Sequence, residues 1–294
     1  MNFKLIKDIV AYSKEESKKF NKFFRFTITT NGTLLNDEIV DFFHKHRIKV
    51  TLSIDGDAAS NDINRPLKSG GSSYTAITRM LEKLDQRDIS YAARVTISSL
   101  TMDRIADNYE HLISLGFKRI HLENAYGPSG EIFISNKSDI EKVKKQYSLI
   151  ADKAIDKIRS GRHFNIETLP FPLGKIVNNR AVSHSCAAGR GYMAVDVNGS
   201  IYLCHRLVGN EEFRIGNVVQ DTFDTGLSAI LEKDMNVENR KNCKNCWARH
   251  LCGGGCYAIN YEHNKDIDLV PQIYCQQKKH SIKLALAVYA NAGQ

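Results

Sequence analysis

The chain has 294 residues, 42% of them hydrophobic and 25% charged, which is the composition of a globular protein long enough for two domains. No run of eighteen apolar residues occurs and the N-terminus does not resemble a signal peptide, so the sequence predicts a cytoplasmic protein without a membrane partner. The net charge of +8 fits a solvated basic surface or a groove for an acidic peptide. No motif indicates a nucleic-acid partner.

The first half of the chain alternates between helix and strand patterns. Aromatic and β-branched runs predict strands at 23–30, 49–55, 90–98 and 118–124. Amphipathic patterns predict helices at about 2–19, 74–87, 103–116 and 137–159, and the stretch at 31–46 predicts a turn followed by a helix. Strands separated by helices indicate βαβ units, so we expect an α/β fold in which the four strands lie side by side in a parallel sheet.

Polar residues and glycines follow each of these strands. They are Thr30-Asn31-Gly32, Ser53-Ile54-Asp55-Gly56, the run from Arg94 to Ser98, and Glu123-Asn124. Parallel α/β sheets bind ligands at the carboxyl ends of their strands, but the same residue types also end strands as ordinary turns. Position alone leaves both interpretations open.

The pattern changes from Cys186 onward. The stretch GYMAVDVNGSIYLCHRLV alternates around Asn198-Gly199, which predicts a hairpin. Short helices, a cysteine-rich segment and a final helix near 274–290 follow. We therefore predict two domains, at 1–165 and 166–294.

All seven cysteines lie in the second half, and four of them fall within CKNCWARHLCGGGC, which ends at Cys256. An odd number of thiols in a reducing compartment argues for metal or cluster ligation over disulfides. One tetrahedral zinc site formed by Cys243, Cys246, Cys252 and Cys256 would leave the other three cysteines without a role. A division of the seven cysteines into four and three ligands suits two iron–sulfur clusters. The spacing alone does not decide between iron–sulfur clusters and zinc.

The cysteine spacings resemble those of the SPASM domain of radical S-adenosylmethionine (SAM) peptide maturases. Three stretches look most like the thioether-forming group, which includes the quinohemoprotein amine dehydrogenase maturation proteins: CAAGRGYMAVD, CHRLVGNEEFRIGNV and CWARHLCGGGCY. The stretches TTNGTLLND, LSIDG and NRPLKSGGSSY are similar to strands and loops of the same enzymes' barrels. The resemblance covers nearly the whole chain.

The resemblance implies two auxiliary [4Fe–4S] clusters with interleaved ligands. Cys243, Cys246, Cys252 and Cys275 match the ligands of the distal cluster, and Cys186, Cys204 and Cys256 match those of the nearer one. Sulfatase-maturing relatives have a fourth cysteine at the nearer cluster, so its absence here implies an iron open to a substrate thiolate. We expect Cys256 to face away from its three neighbours, and Trp247 and Tyr257 to shield the cysteines from water.

The resemblance also implies a partial (β/α)6 radical SAM barrel that lacks its first two strands, followed by a SPASM domain. The Cys-x3-Cys-x2-Cys motif and the Gly-Gly-Glu-Pro motif of the family are absent from the sequence. We therefore expect an N-terminally truncated form that does not cleave SAM by itself, with SAM and its [4Fe–4S] cluster bound only in an intact form. Asn31, Ser53 and Arg94 match positions that line the SAM pocket. His205 stands where sulfatase-maturing relatives carry an aspartate base, and it is the candidate catalytic residue.

Two functional hypotheses follow. In the first, the chain is the C-terminal portion of a maturase that installs thioether cross-links in a ribosomally made peptide or protein. Its partners would be the precursor peptide and a flavodoxin or ferredoxin electron donor. In the second, the chain is a non-catalytic iron–sulfur or zinc binding module for electron transfer or peptide docking, so its status as an enzyme stays open.

Overall fold

The computed structural model describes residues 2–127, 132–162 and 169–292. The helices are α1 (Phe3–Phe20), α2 (Asp37–Lys45), α3 (Ala58–Asn64), α4 (Ser73–Gln86), α5 (Ile105–Ser114), α6 (Lys137–Arg159), α7 (Leu173–Val177), α8 (Thr225–Asp234), α9 (Arg249–Cys252), α10 (Tyr257–Asn264) and α11 (Gln272–Ala292). The strands are β1 (Thr27–Thr30), β2 (Lys49–Ser53), β3 (Tyr91–Ile97), β4 (Ile120–Asn124), β5 (Ala194–Val195), β6 (Ser200–Tyr202), β7 (Arg214–Asn217) and β8 (Thr222–Phe223). Within these residues, no helix is long and apolar enough to cross a membrane.

The chain divides into two compact units. Met1–Ala125 forms most of the first unit, and Tyr126–Arg162 with Phe171–Gln294 forms the second. The long helix α6 thus belongs to the second unit. The domains at 1–165 and 166–294 stay a prediction.

The first unit is built on a parallel sheet with the strand order β1-β2-β3-β4, which confirms the predicted arrangement. Successive side chains of a strand point to opposite faces. One face of this sheet is apolar, and its buried members are Val50, Leu52, Ala93, Val95, Ile97 and Ile120. The helices contribute further buried side chains, among them Phe43, Ile77, Leu84 and Leu112. This core positions the strand ends.

The opposite face of the sheet is polar. Thr51 and Ser53 of β2, Arg94 and Thr96 of β3, and His121 of β4 are not buried. A parallel sheet normally carries apolar residues on both faces. A face lined with hydroxyl, guanidinium and imidazole groups is therefore suited to a polar ligand.

Two predictions for this unit need correction. The strand predicted at 23–30 begins only at Thr27, because its partner β2 begins at Lys49, directly after α2 and a turn at Arg47 with a positive φ of 52°. Helix α3 was not predicted, because AASNDIN has no apolar period. It forms around the side chain of Asp57, whose Oδ1 accepts a hydrogen bond from the amide of Ser60 at 2.9 Å.

The second unit combines two long helices with a small antiparallel sheet. Helix α6 has the predicted bounds and packs along α11, where Ser148 Oγ lies 3.1 Å from His280 Nε2. The sheet has the order β5-β6-β7-β8, and its strands contain only two to four residues. The predicted hairpin at Asn198-Gly199 joins β5 to β6. Most of the cysteine segment lies in turns and short helices outside this sheet.

Candidate functional site

The strand register of the first unit brings the predicted cofactor-binding residues into one row. Ser53 of β2 pairs with Arg94 of β3, and Arg94 pairs with His121 of β4. Thr30 of β1 pairs with Leu52, so Asn31 follows at the level of Ser53. Because paired residues of a parallel sheet point to the same face, Ser53 and Arg94 lie on the polar face. Asn31 and Ser53 stand at the carboxyl ends of β1 and β2, whereas Arg94 lies in the middle of β3.

His121 completes this row and was missed by sequence reasoning. It lies near the start of β4, whereas the search examined strand ends, and only the register shows that it stands beside Arg94. Partial burial and the guanidinium groups of Arg94 and Arg119 lower the pKa of His121. The row therefore holds one permanent cation beside a mostly neutral imidazole at pH 7, which suits a ligand with a carboxylate.

A buried ion pair fixes the strand ends beside this row. Asp55 is 2% exposed, and its two carboxylate oxygens contact Arg65 Nε at 2.8 Å and Nη2 at 2.9 Å. The amide of Thr96 also donates to Asp55 Oδ1, at 2.7 Å. Since Asp55 follows β2 and Thr96 belongs to β3, this carboxylate ties the ends of the two strands that carry Ser53 and Arg94.

Four cysteines of the second unit surround one cavity. Cys243, Cys246, Cys252 and Cys275 all line it, together with Arg249, Lys278 and Lys279. The first three come from the turn around α9 and the fourth comes from α11. The cavity thus collects thiols from two segments that are distant in the sequence.

These thiols act on one another electrostatically. Burial first, and then the Cys252 and Cys243 thiols, raise the pKa of Cys275 to about 11. Burial likewise raises the pKa of Cys243, while the cation of Arg240 opposes the shift. Without a bound cation, such a group resists ionisation, because thiolates in a buried group repel each other. A positively charged metal centre would reverse that balance.

A run of three glycines separates Cys252 from Cys256. Gly253, Gly254 and Gly255 have φ values of 81°, 96° and 82°, in the left-handed region that side-chain-bearing residues rarely adopt. A Cβ on Gly253 would lie 2.4 Å from the carbonyl oxygen of His184. The run lies between the end of α9 at Cys252 and Cys256, which precedes α10. Cys252 lines the cavity, whereas Cys256 packs against a separate hydrophobic cluster.

The same hydrophobic cluster contains Cys204, which is 9% exposed. Burial raises the pKa of Cys204, the backbone amides of Arg206 and Leu207 that donate to it oppose this, and the neighbouring Cys186 raises the pKa further. Burial first, and then Cys186, raise the pKa of Tyr257, which follows Cys256 in the chain. Cys204 and Cys256 thus share a hydrophobic cluster that is separate from the cavity of the other four, and Cys186 lies within electrostatic reach of Cys204.

The remaining predicted residues lie beside these two groups. His205 follows Cys204, and its Nδ1 lies 2.7 Å from the hydroxyl of Tyr192. Tyr257 is buried, at 3% exposure, whereas Trp247 is 52% exposed. Tyr257 can shield the thiols as expected, but half of the Trp247 surface faces solvent.

The four cysteines that line the cavity fit an iron–sulfur cluster by their chemistry. Each thiolate of a [4Fe–4S] cluster binds a different iron, so the thiols must surround a volume. Zinc instead requires four ligands that converge on one ion. In the described parts of the chain, no three His, Cys, Asp or Glu side chains are placed to hold a metal ion, whereas four thiols line a common cavity.

Two protein-family profiles match the chain. The profile of the radical SAM superfamily matches residues 1–122, which contain the parallel sheet and the row of polar residues. The profile of an iron–sulfur cluster-binding domain, SPASM, matches residues 186–247, which contain Cys186, Cys204, Cys243 and Cys246.

Curated relatives include sulfatase-maturating enzymes. The chain is 26% identical over 250 residues to the serine-type anaerobic sulfatase-maturating enzyme of Klebsiella aerogenes, with 79% of this chain and 58% of that enzyme covered. It is 24% identical over 277 residues to the cysteine-type enzyme of Clostridium perfringens, with 88% and 71% covered. The chain thus spans about three fifths of the length of the Klebsiella relative.

Solved structures show the same fold. The structure of native anSMEcpe with bound AdoMet has a TM-score of 0.78 at 20% identity, covering 99% of this chain and 81% of that one. Streptococcus suis SuiB bound to S-adenosylmethionine has a TM-score of 0.58 at 17% identity, covering 84% and 59%. These similarities agree with the two family profiles. The chain therefore combines an α/β region that matches the radical SAM superfamily with a following region that matches the iron–sulfur cluster-binding SPASM domain.

Proposed function

We propose that this chain belongs to a maturase that modifies a ribosomally made peptide or protein, and that it carries two auxiliary [4Fe–4S] clusters. The observation that carries the proposal is that four cysteines line one cavity, while Cys204 and Cys256 pack in a separate hydrophobic cluster. The sulfatase-maturating relatives support an action on proteins. We place the protein in the cytoplasm, where thiols stay reduced.

In this proposal, each cysteine group holds one cluster. Cys243, Cys246, Cys252 and Cys275 would supply all four thiolates to the first. Cys186, Cys204 and Cys256 would leave one coordination position open at the second. The backbone amides of Arg206 and Leu207, which donate to Cys204, would stabilise its thiolate. An open position suits a substrate thiolate, and this supports thioether formation as the specific reaction.

The polar row of the first unit would hold SAM. When bound to its own cluster, SAM supplies the radical that removes a hydrogen atom from a substrate carbon. Arg94 would bind the carboxylate of SAM, Ser53 would bind its ribose, and Asn31 would border the pocket at the end of β1. His205 would accept a substrate proton, held in place by its 2.7 Å contact with the Tyr192 hydroxyl. A flavodoxin or ferredoxin would deliver electrons.

The decisive experiment is cluster analysis after anaerobic reconstitution. Two clusters require about eight irons and eight sulfides per chain. We expect Cys252→Ala and Cys256→Ala each to lose about half of the iron and to change different EPR signals, because these cysteines belong to different groups. Stoichiometric zinc without charge-transfer absorption would contradict the proposal and favour the non-catalytic metal-binding module.

A second test concerns SAM cleavage. All seven cysteines of residues 1–294 are assigned to the two sites of the second unit, and none is left for a SAM-binding cluster. We therefore expect this polypeptide to release no 5′-deoxyadenosine with dithionite and SAM, as measured by chromatography. Sustained release that Ser53→Ala or Arg94→Ala abolishes would show that the cysteine assignment is wrong.

A further inference from the structure

The segments that carry the four cavity cysteines are strongly basic. Residues 239–261 and 269–294 together contain seven Lys or Arg and no Asp or Glu. The whole chain has 41 basic and 33 acidic side chains, so the imbalance is concentrated here. The excess of basic over acidic residues is therefore concentrated in the segments that carry the four cavity cysteines.

The structure places several of these cations around the cavity. Arg249, Lys278 and Lys279 line it, and Lys241 and Lys244 are exposed on the same cysteine turn. Helix α7 adds Lys175, whose Nζ donates to the carbonyl of Leu251 at 2.8 Å.

Two of the cations have structural roles. Arg240 is fully buried and pairs with Asp268 at 2.6 Å, and Arg249 lies 3.5 Å from Glu238. Lys241, Lys244 and Lys279 are exposed, and Lys278 lies over the ring of Tyr274. We call the surface formed by Lys241, Lys244, Trp247, Lys278 and Lys279 the basic cysteine face.

Trp247 gives this face an apolar anchor. It stands between Cys246 and Ala248, which both line the cavity, yet its own side chain is 52% exposed. Tryptophan is enriched among the residues that dominate binding energy at protein interfaces. An exposed indole on a turn that also carries exposed lysines is typical of a surface that is covered by a partner with acidic side chains.

We propose that the basic cysteine face docks an acidic electron-carrier protein over the four-cysteine cavity. The inference rests on the proposed function, because it needs a cluster in that cavity. Cys246 and Cys252 are only partly buried, so a cluster bound there would lie close to the surface. Electron exchange between proteins requires close approach, and complementary charge both orients the partners and speeds their encounter.

A simpler role for the lysines is to offset the negative charge of a thiolate-bound cluster. The two roles predict different results. Charge compensation requires cations at the cavity but does not depend on an exposed indole. Removing the cations would then alter the cluster. Docking requires the exposed side chains, and its loss would weaken the partner while the cluster stays intact.

The experiment uses the full chain after anaerobic reconstitution, with iron and sulfide measured first. The probe is a flavodoxin, a small acidic protein that carries a flavin, and binding is measured by calorimetry at about 50 and 300 mM NaCl. We expect Lys278→Glu/Lys279→Glu to weaken binding at least tenfold, and Trp247→Ala to weaken it about tenfold, which corresponds to about 1.4 kcal/mol. The higher salt concentration should weaken wild-type binding several-fold.

The matched control is Lys145→Glu/Lys153→Glu, which reverses two exposed charges on α6 that do not line the cavity. It should change flavodoxin binding less than twofold. Equal weakening by the control and the cavity pair would overturn the proposal, since it would show a general charge effect. Tighter binding of a DNA duplex than of flavodoxin through the same lysines would overturn it as well.

The iron measurement separates this proposal from the proposed function. Variants that lose iron or change the EPR signal while flavodoxin binding is unchanged would overturn docking and assign the lysines to the cluster. A wild-type chain that holds no iron but binds flavodoxin through Lys278 and Lys279 would refute the proposed clusters and support the docking face. A chain that neither holds iron nor binds flavodoxin would overturn both.

Discussion

The two units hold their functional side chains by different means. In the first, Ser53, Arg94 and His121 stand in a row because backbone pairing sets the register of three parallel strands. In the second, strands contain at most four residues, and most cysteines stand at turns and helix ends. Cys252 is the last residue of α9, and Cys256 precedes α10.

The two sites differ in whether they can form without a bound ligand or metal. The row in the first unit follows from hydrogen bonds between strands, so it is present without any ligand. The cysteine groups bring several thiols together, and desolvation raises the pKa of Cys204, Cys243 and Cys275. Those thiols become favourable ligands only when a metal centre replaces their protons. The comparison predicts that the second unit depends on its metal and the first does not.

Iron removal should give the largest contrast between the units. Ligation of a structural metal contributes folding free energy on the order of 10 kcal/mol. A chain whose iron has been removed by a chelator should therefore lose most of the order around its cysteines. Hydrogen exchange, followed by mass spectrometry, should show lost protection at 200–217 and 249–264. Protection at 91–97 should stay, and equal loss at β3 would contradict the comparison.

Asp55→Ala should produce the opposite pattern. It leaves the Arg65 guanidinium without its carboxylate and the Thr96 amide without its acceptor, and breaking a buried pair in this way costs about 3–5 kcal/mol. Urea denaturation should show the loss, while iron content stays at the wild-type value. Asp41→Ala is the control, because it breaks an exposed pair with Arg87 and should cost less than about 1 kcal/mol. Similar losses in both variants would show that Asp55 does not fix the strands.

Gly253→Ala should have a smaller effect, confined to the cysteine region. Its Cβ would meet the His184 carbonyl oxygen, and a left-handed backbone adds about 1–2 kcal/mol of strain. The control is Gly70→Ala in the first unit, which has a similar φ of 77° and, within the described part of the chain, no atom within 4 Å of the new Cβ. Both variants carry the backbone strain, and only Gly253→Ala should reduce bound iron. Full iron content in Gly253→Ala would show that the turn tolerates a side chain.

The sequence predicted the regular parts of the fold better than the irregular ones. Helix α6 and the four parallel strands have strong apolar or β-branched periods, so their order could be read along the chain. Helix α3 has no such period and depends on the cap at Asp57. The grouping of cysteines came from a family resemblance, because spacing alone left zinc and clusters open.

Other features of the site depend on contacts between distant residues. His121 stands beside Arg94 only through the register of β3 and β4. Trp247 was expected to shield the cysteines from water, yet half of its surface is exposed. Local sequence patterns contain no information on either.

Arg240 has a consequence for how the metal sites could assemble. Its guanidinium, fully buried, donates to the carbonyls of Gly254, Ile267 and Asp268 and pairs with the Asp268 carboxylate. All of these partners are protein atoms, so the bonds do not require iron. Arg240 can therefore set the glycine turn before loading begins, with Cys252 and Cys256 already directed to different destinations. The two thiols are then held in separate places before iron binds. This disfavours a metal centre whose ligands come from both cysteine groups.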